Sequence, residues 1–298
     1  MENVCKKCNI PFYVKRAEVE KIAKETKKGT EEVGRKIRYD FFDEVAKKEK
    51  ANKIAIAHNM NDNAETMLLN LIRGTGIAGL EGIQPSEYGK YIRPLINCER
   101  FEIEKYCEEN DLKPRIDSTN KENIYKRNII RNKILPELKE LNPNIVQTLS
   151  RTSKIISNED EYIKGQTNII YSQLSNECYL KGNTKNDIKN NENEYKEEKN
   201  EKNEKKQIKD ICVTGKNIDS VSEIYFDLSK FNSQDTTIKE NLVIKSIEKI
   251  TGSARNIEKV NIDDIIELAN KNVGNKFMIL NKKIKVEIKN KKIFFYVL

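Results

Sequence analysis

Two carboxylates three residues apart, Asp62 and Glu65, follow closely on His58, the only histidine of this 298-residue chain. The histidine ends a short apolar run, Ile54-Ala55-Ile56-Ala57, and the acids open the helix expected after the polar loop Asn59-Met60-Asn61. An imidazole and carboxylates at the carboxyl end of a strand can bind a nucleotide's ribose or hold Mg²⁺ against its phosphates. Strand, loop and helix amino terminus, in that order, is how α/β proteins seat nucleotides. Each residue also has an ordinary role. Acids in a first helical turn favour the helix dipole, and a lone histidine often only completes local structure.

A second constellation comes later. Asp117-Ser118-Thr119-Asn120 precedes Tyr125-Lys126-Arg127-Asn128, Arg131 and Lys133. Between residues 121 and 154 eight basic groups face three acids, a net charge of +5. Guanidinium forks and an aromatic ring suit phosphates and an unstacked base. The same residues also read as a solvated basic helix.

Other patterns carry less. Gly74-Thr75-Gly76-Ile77-Ala78-Gly79 matches G-x-G-x-x-G, but a helix precedes it where a dinucleotide site needs a strand. Thr214–Ser220 has one glycine, Gly215, and is rejected as a phosphate loop. Cys5 and Cys8 have ligand spacing without a second pair or a histidine to complete a zinc site, and read as thiols on a helical turn.

The elements that must position these residues follow from periodicity. Pro11–Val14 reads as a strand and Ala17–Thr26 as a helix. Thr30, with Glu31 and Glu32 behind it, caps a second helix whose Val33, Ile37, Phe41 and Val45 share a face. Lys53–Ala57 reads as a buried strand. Asp62–Arg73 reads as a helix with Ala64, Met67, Leu68, Leu71 and Ile72 on its apolar stripe. A glycine-rich loop, a strand over Tyr91–Ile96 and a helix over Glu99–Asn110 come next. This alternation predicts an α/β class with a parallel sheet covered on both faces. Residues 125–174 read as mostly helical with a break near Asn142-Pro143. In residues 181–210, Lys, Asn, Glu and Asp fill 24 of 30 positions, too polar to bury a core, so a disordered insertion is expected. Ile224–Leu228, Ile238–Ile250, Ile262–Asn270 and a final hairpin around Asn290 predict a small α+β domain.

The net charge of +8 fits a polyanion partner without requiring one, because much of the lysine accompanies asparagine and isoleucine. No run approaches the roughly 20 apolar residues of a membrane span. The amino terminus lacks a signal peptide's apolar stretch, so a cytoplasmic protein without membrane partners is expected.

Taken in order, Glu31–Phe42, Ala57–Thr66, Leu71–Leu80, Ile92–Leu95 and Asp117–Arg131 resemble the tRNA(Ile)-lysidine synthases, a branch of the N-type ATP pyrophosphatases with a PP-loop. The resemblance covers roughly the first half of the chain, and more loosely its last 60 or so residues. It implies ATP-dependent ligation of free lysine to C2 of the wobble cytidine in a CAU-anticodon tRNA(Ile). ATP adenylates the C2 oxygen and releases pyrophosphate, and the lysine side-chain amine then displaces AMP. By the same resemblance His58, Asp62, Glu65 and Arg73 border ATP, with Asp62 the candidate for Mg²⁺. Arg93, Asp117 and Arg127 are the catalytic candidates, and Tyr125, Asn128, Arg131 and Lys133 the tRNA-binding ones. A homodimer is compatible with the resemblance.

The expected organisation is an incomplete PP-loop domain over residues 1–155, a helical linker over 156–180, the insertion over 181–210 and the small tRNA-binding domain over 211–298. The departure from the family is the absence of its S-G-G-x-D-S phosphate loop from the 298 residues. Those loop amides would grip the ATP phosphates. The chain by itself is therefore expected to have little or no ligase activity. Two rivals stay open: a non-catalytic RNA-binding remnant, and a tRNA thiolase of the same fold group using Cys5 and Cys8.

Overall fold

A computed structural model describes residues 2–114, 126–179, 221–254, 257–271 and 274–298. Asp117 to Asn120, Tyr125, the tract at 181–210 and the Thr214–Ser220 segment lie outside the described residues. The chain divides into two units, Met1–Asp160 and Glu161–Leu298.

The first unit begins with α1 (Glu2–Lys7), α2 (Val19–Thr26) and α3 (Thr30–Lys48). Glu31 and Glu32 open α3 and Lys47 and Lys48 close it, which complements its dipole. Gly29, not Thr30, is its cap, and Thr30 is the first helical residue. Residues 11–16, expected to include a strand, pair with no strand here. They are tied to α3 through side chains instead, with Tyr13 donating to Glu49 at 2.5 Å and Lys15 to Glu44 at 2.7 Å.

The first sheet is small. β1 (Ile54–Ala55) runs parallel to β3 (Tyr91–Ile92), while β2 (Ser86–Glu87) adds antiparallel on the other side of β3. The sheet is thus mixed: its β1–β3 pair is parallel, as alternation predicts, and β2 joins it antiparallel. β1 lies at an edge and leaves Ala55 and Ala57 exposed, so it is not the buried strand its apolar run suggested. Between these strands come α4 (Met60–Arg73) and the short α5 (Ile77–Leu80), the latter inside the expected glycine loop.

α4 is the scaffold of the unit. Asn59 Oδ1 accepts from the Asp62 amide and Asp62 Oδ2 from the Asn59 amide, each at 3.0 Å, a reciprocal cap that fixes the helix start. Ala64 and Leu68 are buried against Ile130, Leu135 and Val146. The stripe stops there: Leu71 and Ile72 are 58% and 62% exposed, because no described residue covers the last turn.

After α6 (Arg100–Glu109), the chain resumes with α7 (Lys126–Ile129), a π-helical turn (Ile130–Ile134) and α8 (Leu135–Leu141). α9 (Ile145–Leu174) is continuous, and the unit boundary falls inside it.

In the second unit, β4 (Asn176–Tyr179) pairs with β5 (Val221–Asp227). α10 (Leu228–Asn232), α11 (Thr236–Thr251), α12 (Lys259–Lys271) and strands β6 (Lys276–Leu280), β7 (Ile284–Lys289) and β8 (Lys292–Val297) follow. The antiparallel sheet has the order β4-β5-β8-β7-β6. Phe226, Ile293, Phe295 and Val286 from one sheet face meet Leu242, Ile247 and Ile265 in the core. Asn290 and Lys291 both have positive φ, the two-residue turn that matches the twist of a β7–β8 hairpin.

Candidate functional site

α4 presents Asp62, Glu65 and Thr66 toward the stretch that carries Arg127 and Arg131. The two arginines are four residues apart, so a helical path puts them on one face. Glu65 is 1% exposed. Arg131 grips it with both edges of its fork, Nε to Oε1 at 2.6 Å and NH2 to Oε2 at 2.7 Å. Arg127 adds Nε to Oε2 at 2.9 Å. Its NH2 reaches the Asp62 carbonyl at 3.2 Å and Thr66 Oγ1 at 3.4 Å. Asp62 Oδ1 stands 3.3 Å from Arg131 NH2 and 3.5 Å from Arg127 NH2. Hydrogen bonding to Glu65 raises Arg131 above the usual guanidinium value despite its partial burial. A buried carboxylate of this kind is stable only when so paired.

The second part of the site lies at the end of β1. Arg93, 5% exposed, donates from Nε to His58 Nδ1 at 3.2 Å. Its NH1 donates to the Gln84 carbonyl at 2.7 Å and its NH2 to Glu87 Oε2 at 2.6 Å. Burial lowers the His58 pKa, and the charges of Arg93, Arg127 and Arg35 add to this against the opposing pull of Asp62. Thus His58, Asp62, Glu65, Arg93, Arg127 and Arg131 form one electrostatic neighbourhood. Glu87 and Gln84, which anchor Arg93, were missed by sequence reasoning. Neither has a local pattern that would single it out.

Other expected site residues stand apart. Arg73 is exposed at the last turn of α4, two turns beyond Glu65, and Lys133 is exposed on the π-helical turn. Asn128 is half-buried beside Arg127. Asp117 and Tyr125 fall outside the described residues.

The donor set is a poor fit to Mg²⁺. Both Glu65 oxygens are held by guanidiniums and Asp62 Oδ2 by an amide, which leaves only Asp62 Oδ1 loosely engaged. Among the described residues no group of three or more His, Cys, Asp or Glu side chains converges on one point. Nor does the first turn of α4 offer an open phosphate cradle, since the Asp62 amide is already spent on Asn59. What the arrangement can do is present paired charges of both signs at one place, beside a neutral imidazole. Elsewhere among the described residues, no helix is long and apolar enough to cross a membrane.

Comparison with known proteins shows what the chain is similar to. Residues 1–138 match the PP-loop domain family. The tRNA(Ile)-lysidine synthase of Clostridium acetobutylicum is 49% identical over 60% of this chain and 39% of its own. That of Caldanaerobacter subterraneus is 34% identical over 93% of this chain and 50% of its own. For that of Clostridium perfringens the figures are 37%, 94% and 51%. The chain spans about half the length of the curated relatives that it matches along most of its extent. Among solved structures, the tRNA thiolase NcsA from Methanococcus maripaludis overlaps 41% of this chain and 42% of its own, with a TM-score of 0.33 and 22% identity, too little to bear on function. Residues 1–138 thus form a PP-loop domain, and along most of its length the chain is similar to tRNA(Ile)-lysidine synthases.

Proposed function

We propose that the chain takes part in forming lysidine, the ATP-dependent joining of lysine to C2 of the wobble cytidine in a CAU-anticodon tRNA(Ile). The observation that carries this reading is the cluster of two carboxylates and two guanidiniums at the start of α4. Free lysine is an amino acid with an ammonium and a carboxylate on one carbon. Asp62 Oδ1, held only at 3.3 and 3.5 Å, can turn to the ammonium, and the Arg127 NH2 group can turn to the carboxylate or to phosphate oxygens, while the Arg131–Glu65 pair holds the cluster in place. Holding the side-chain amine near C2 turns an encounter into a positioned attack.

The chemistry needs two steps. The cytidine C2 oxygen attacks the α-phosphorus of ATP and pyrophosphate leaves. The lysine amine then attacks C2, loses a proton, and AMP departs with the former C2 oxygen. Positive charge from Arg127 and Arg131 would offset the charge that builds on phosphate in both steps. By the resemblance Asp117 remains a catalytic candidate, Tyr125, Asn128 and Lys133 tRNA-binding candidates, and Arg73 a candidate bordering ATP. A homodimer is part of the same reading.

The S-G-G-x-D-S loop is absent from the 298 residues. The test therefore compares the chain alone with the chain joined behind a family S-G-G-x-D-S segment. Each is incubated with CAU-anticodon tRNA(Ile), ATP and lysine, and digested nucleosides are read by mass spectrometry. Lysidine from the joined chain and little from the chain alone is the expected result. Salt-sensitive tRNA binding with no lysidine from either would favour a non-catalytic RNA-binding role.

A further inference from the structure

The single histidine has its proton placed by its neighbour. Arg93 Nε lies 3.2 Å from His58 Nδ1. A guanidinium only donates and stays charged over the whole working range, so Nδ1 must accept. A neutral imidazole that accepts at Nδ1 carries its hydrogen on Nε2. Arg93 has no latitude to do otherwise. Each of its three nitrogens is engaged by the protein, at His58, at the Gln84 carbonyl and at Glu87 Oε2. Its side chain is 3% exposed, so it is enclosed by the loop around Gln84 and by β2 and β3 instead of facing a ligand.

We propose that Arg93 is a positioning residue that locks His58 in the neutral Nε2–H tautomer, so that the end of β1 offers a fixed hydrogen-bond donor to an acceptor oxygen. This goes beyond the function proposed above and rests on it for one point only, that the oxygen belongs to the nucleotide. It removes two other roles from His58. With Nδ1 taken and Nε2 protonated, the ring is neither a general base nor a metal ligand. Burial and the surrounding guanidiniums of Arg93, Arg127 and Arg35 favour the same neutral form, with Asp62 alone opposing them.

One histidine in the chain makes the test direct. Nitrogen-15 labelling and a long-range proton–nitrogen correlation read both ring nitrogens of His58 in the intact protein, with no ligand added. At neutral pH the expected pattern is one pyridine-type nitrogen at Nδ1 and one pyrrole-type nitrogen at Nε2. The same chain in urea supplies the averaged pattern of a free imidazole. An averaged pattern, an Nδ1–H pattern or an imidazolium in the folded protein would overturn the proposal. Arg93→Lys, which removes the Nε donor but keeps the charge, is expected to shift the folded pattern toward the average, and an unchanged pattern in that variant would equally overturn it. If Arg93→Lys does not fold, the wild-type pattern decides alone. Because the tautomer is read without ligand, failure of the nucleotide reading would leave this pattern in place, and failure of the lock would appear whatever the site binds.

Discussion

Arg131 and Glu65 meet edge to edge across 66 positions of sequence, with paired nitrogen–oxygen distances of 2.6 and 2.7 Å on a carboxylate that is 1% exposed. Bidentate geometry of this kind is the strong form of an ion pair, and burying one partner makes it costly to break. Glu65→Gln is therefore expected to lower the stability of the first unit by about 3 kcal/mol, toward the low end for buried pairs because the arginines are part-exposed. Urea unfolding of Glu65→Gln, Arg131→Met and the double variant measures it. A coupling energy of about 1–3 kcal/mol is expected, and additive single costs would show that the pair does not act as one.

The depressed His58 pKa sets a direction for stability against pH. The unfolded chain protonates this ring near 6.5, the ordinary value, and the folded chain only below that. Between the two values the unfolded state holds more protons, so stability rises with pH there. The contribution is complete above about pH 6.5 and is lost as pH falls toward the folded value. His58→Gln should flatten this part of the stability profile, as measured by urea midpoints across the acid range. An unchanged slope would contradict it.

Gly82 joins the turn after α5 to the site's scaffold. Its φ is +67°, and an added Cβ would lie 2.0 Å from Asn63 Oδ1. That oxygen accepts from the Ile83 amide at 2.6 Å, and Asn63 Nδ2 donates to Ser153 at 3.3 Å. Gly82→Ala should cost about 2 kcal/mol or more through strain and the displaced Asn63, read as a lower melting temperature. A melting temperature equal to wild type would mean the turn can relax.

In the second unit Phe226 is fully buried, with its ring 6.1 Å from that of Phe295 at 90° and 5.9 Å from that of Phe231. Phe226→Ala should cost about 3–5 kcal/mol from lost burial and the cavity left behind. Urea unfolding followed by the aromatic signals of this unit checks it, and a loss under about 1 kcal/mol would mean the core collapses around the gap.

Local chemistry was readable in the sequence where it repeats within a few residues. The buried part of the α4 stripe, the acid Asp62 in its first turn, the break at Asn142-Pro143 and the Asn290 hairpin all have short-range signals. The partners were not readable. Arg127 and Arg131 look like solvated basic residues until the fold sets them on Glu65, and Arg93 looks free until Gln84 and Glu87 enclose it. β4 pairs with a strand more than 40 positions later, beyond the reach of any periodicity. The apolar Pro11–Val14 segment shows the converse: a strand-like composition forms no strand without a neighbour to pair with.

Lysidine formation by the chain joined behind an S-G-G-x-D-S segment, with Arg127→Lys compared to wild type, bears on the proposed function without intermediate steps. Lysine keeps the positive charge but cannot reproduce the guanidinium's several contacts with Asp62, Glu65 and Thr66. At least about a tenfold fall in lysidine formation is expected, measured at a temperature where the variant, weakened by its lost contact with buried Glu65, is still fully folded. Lysidine formation by Arg127→Lys at the wild-type rate would contradict it.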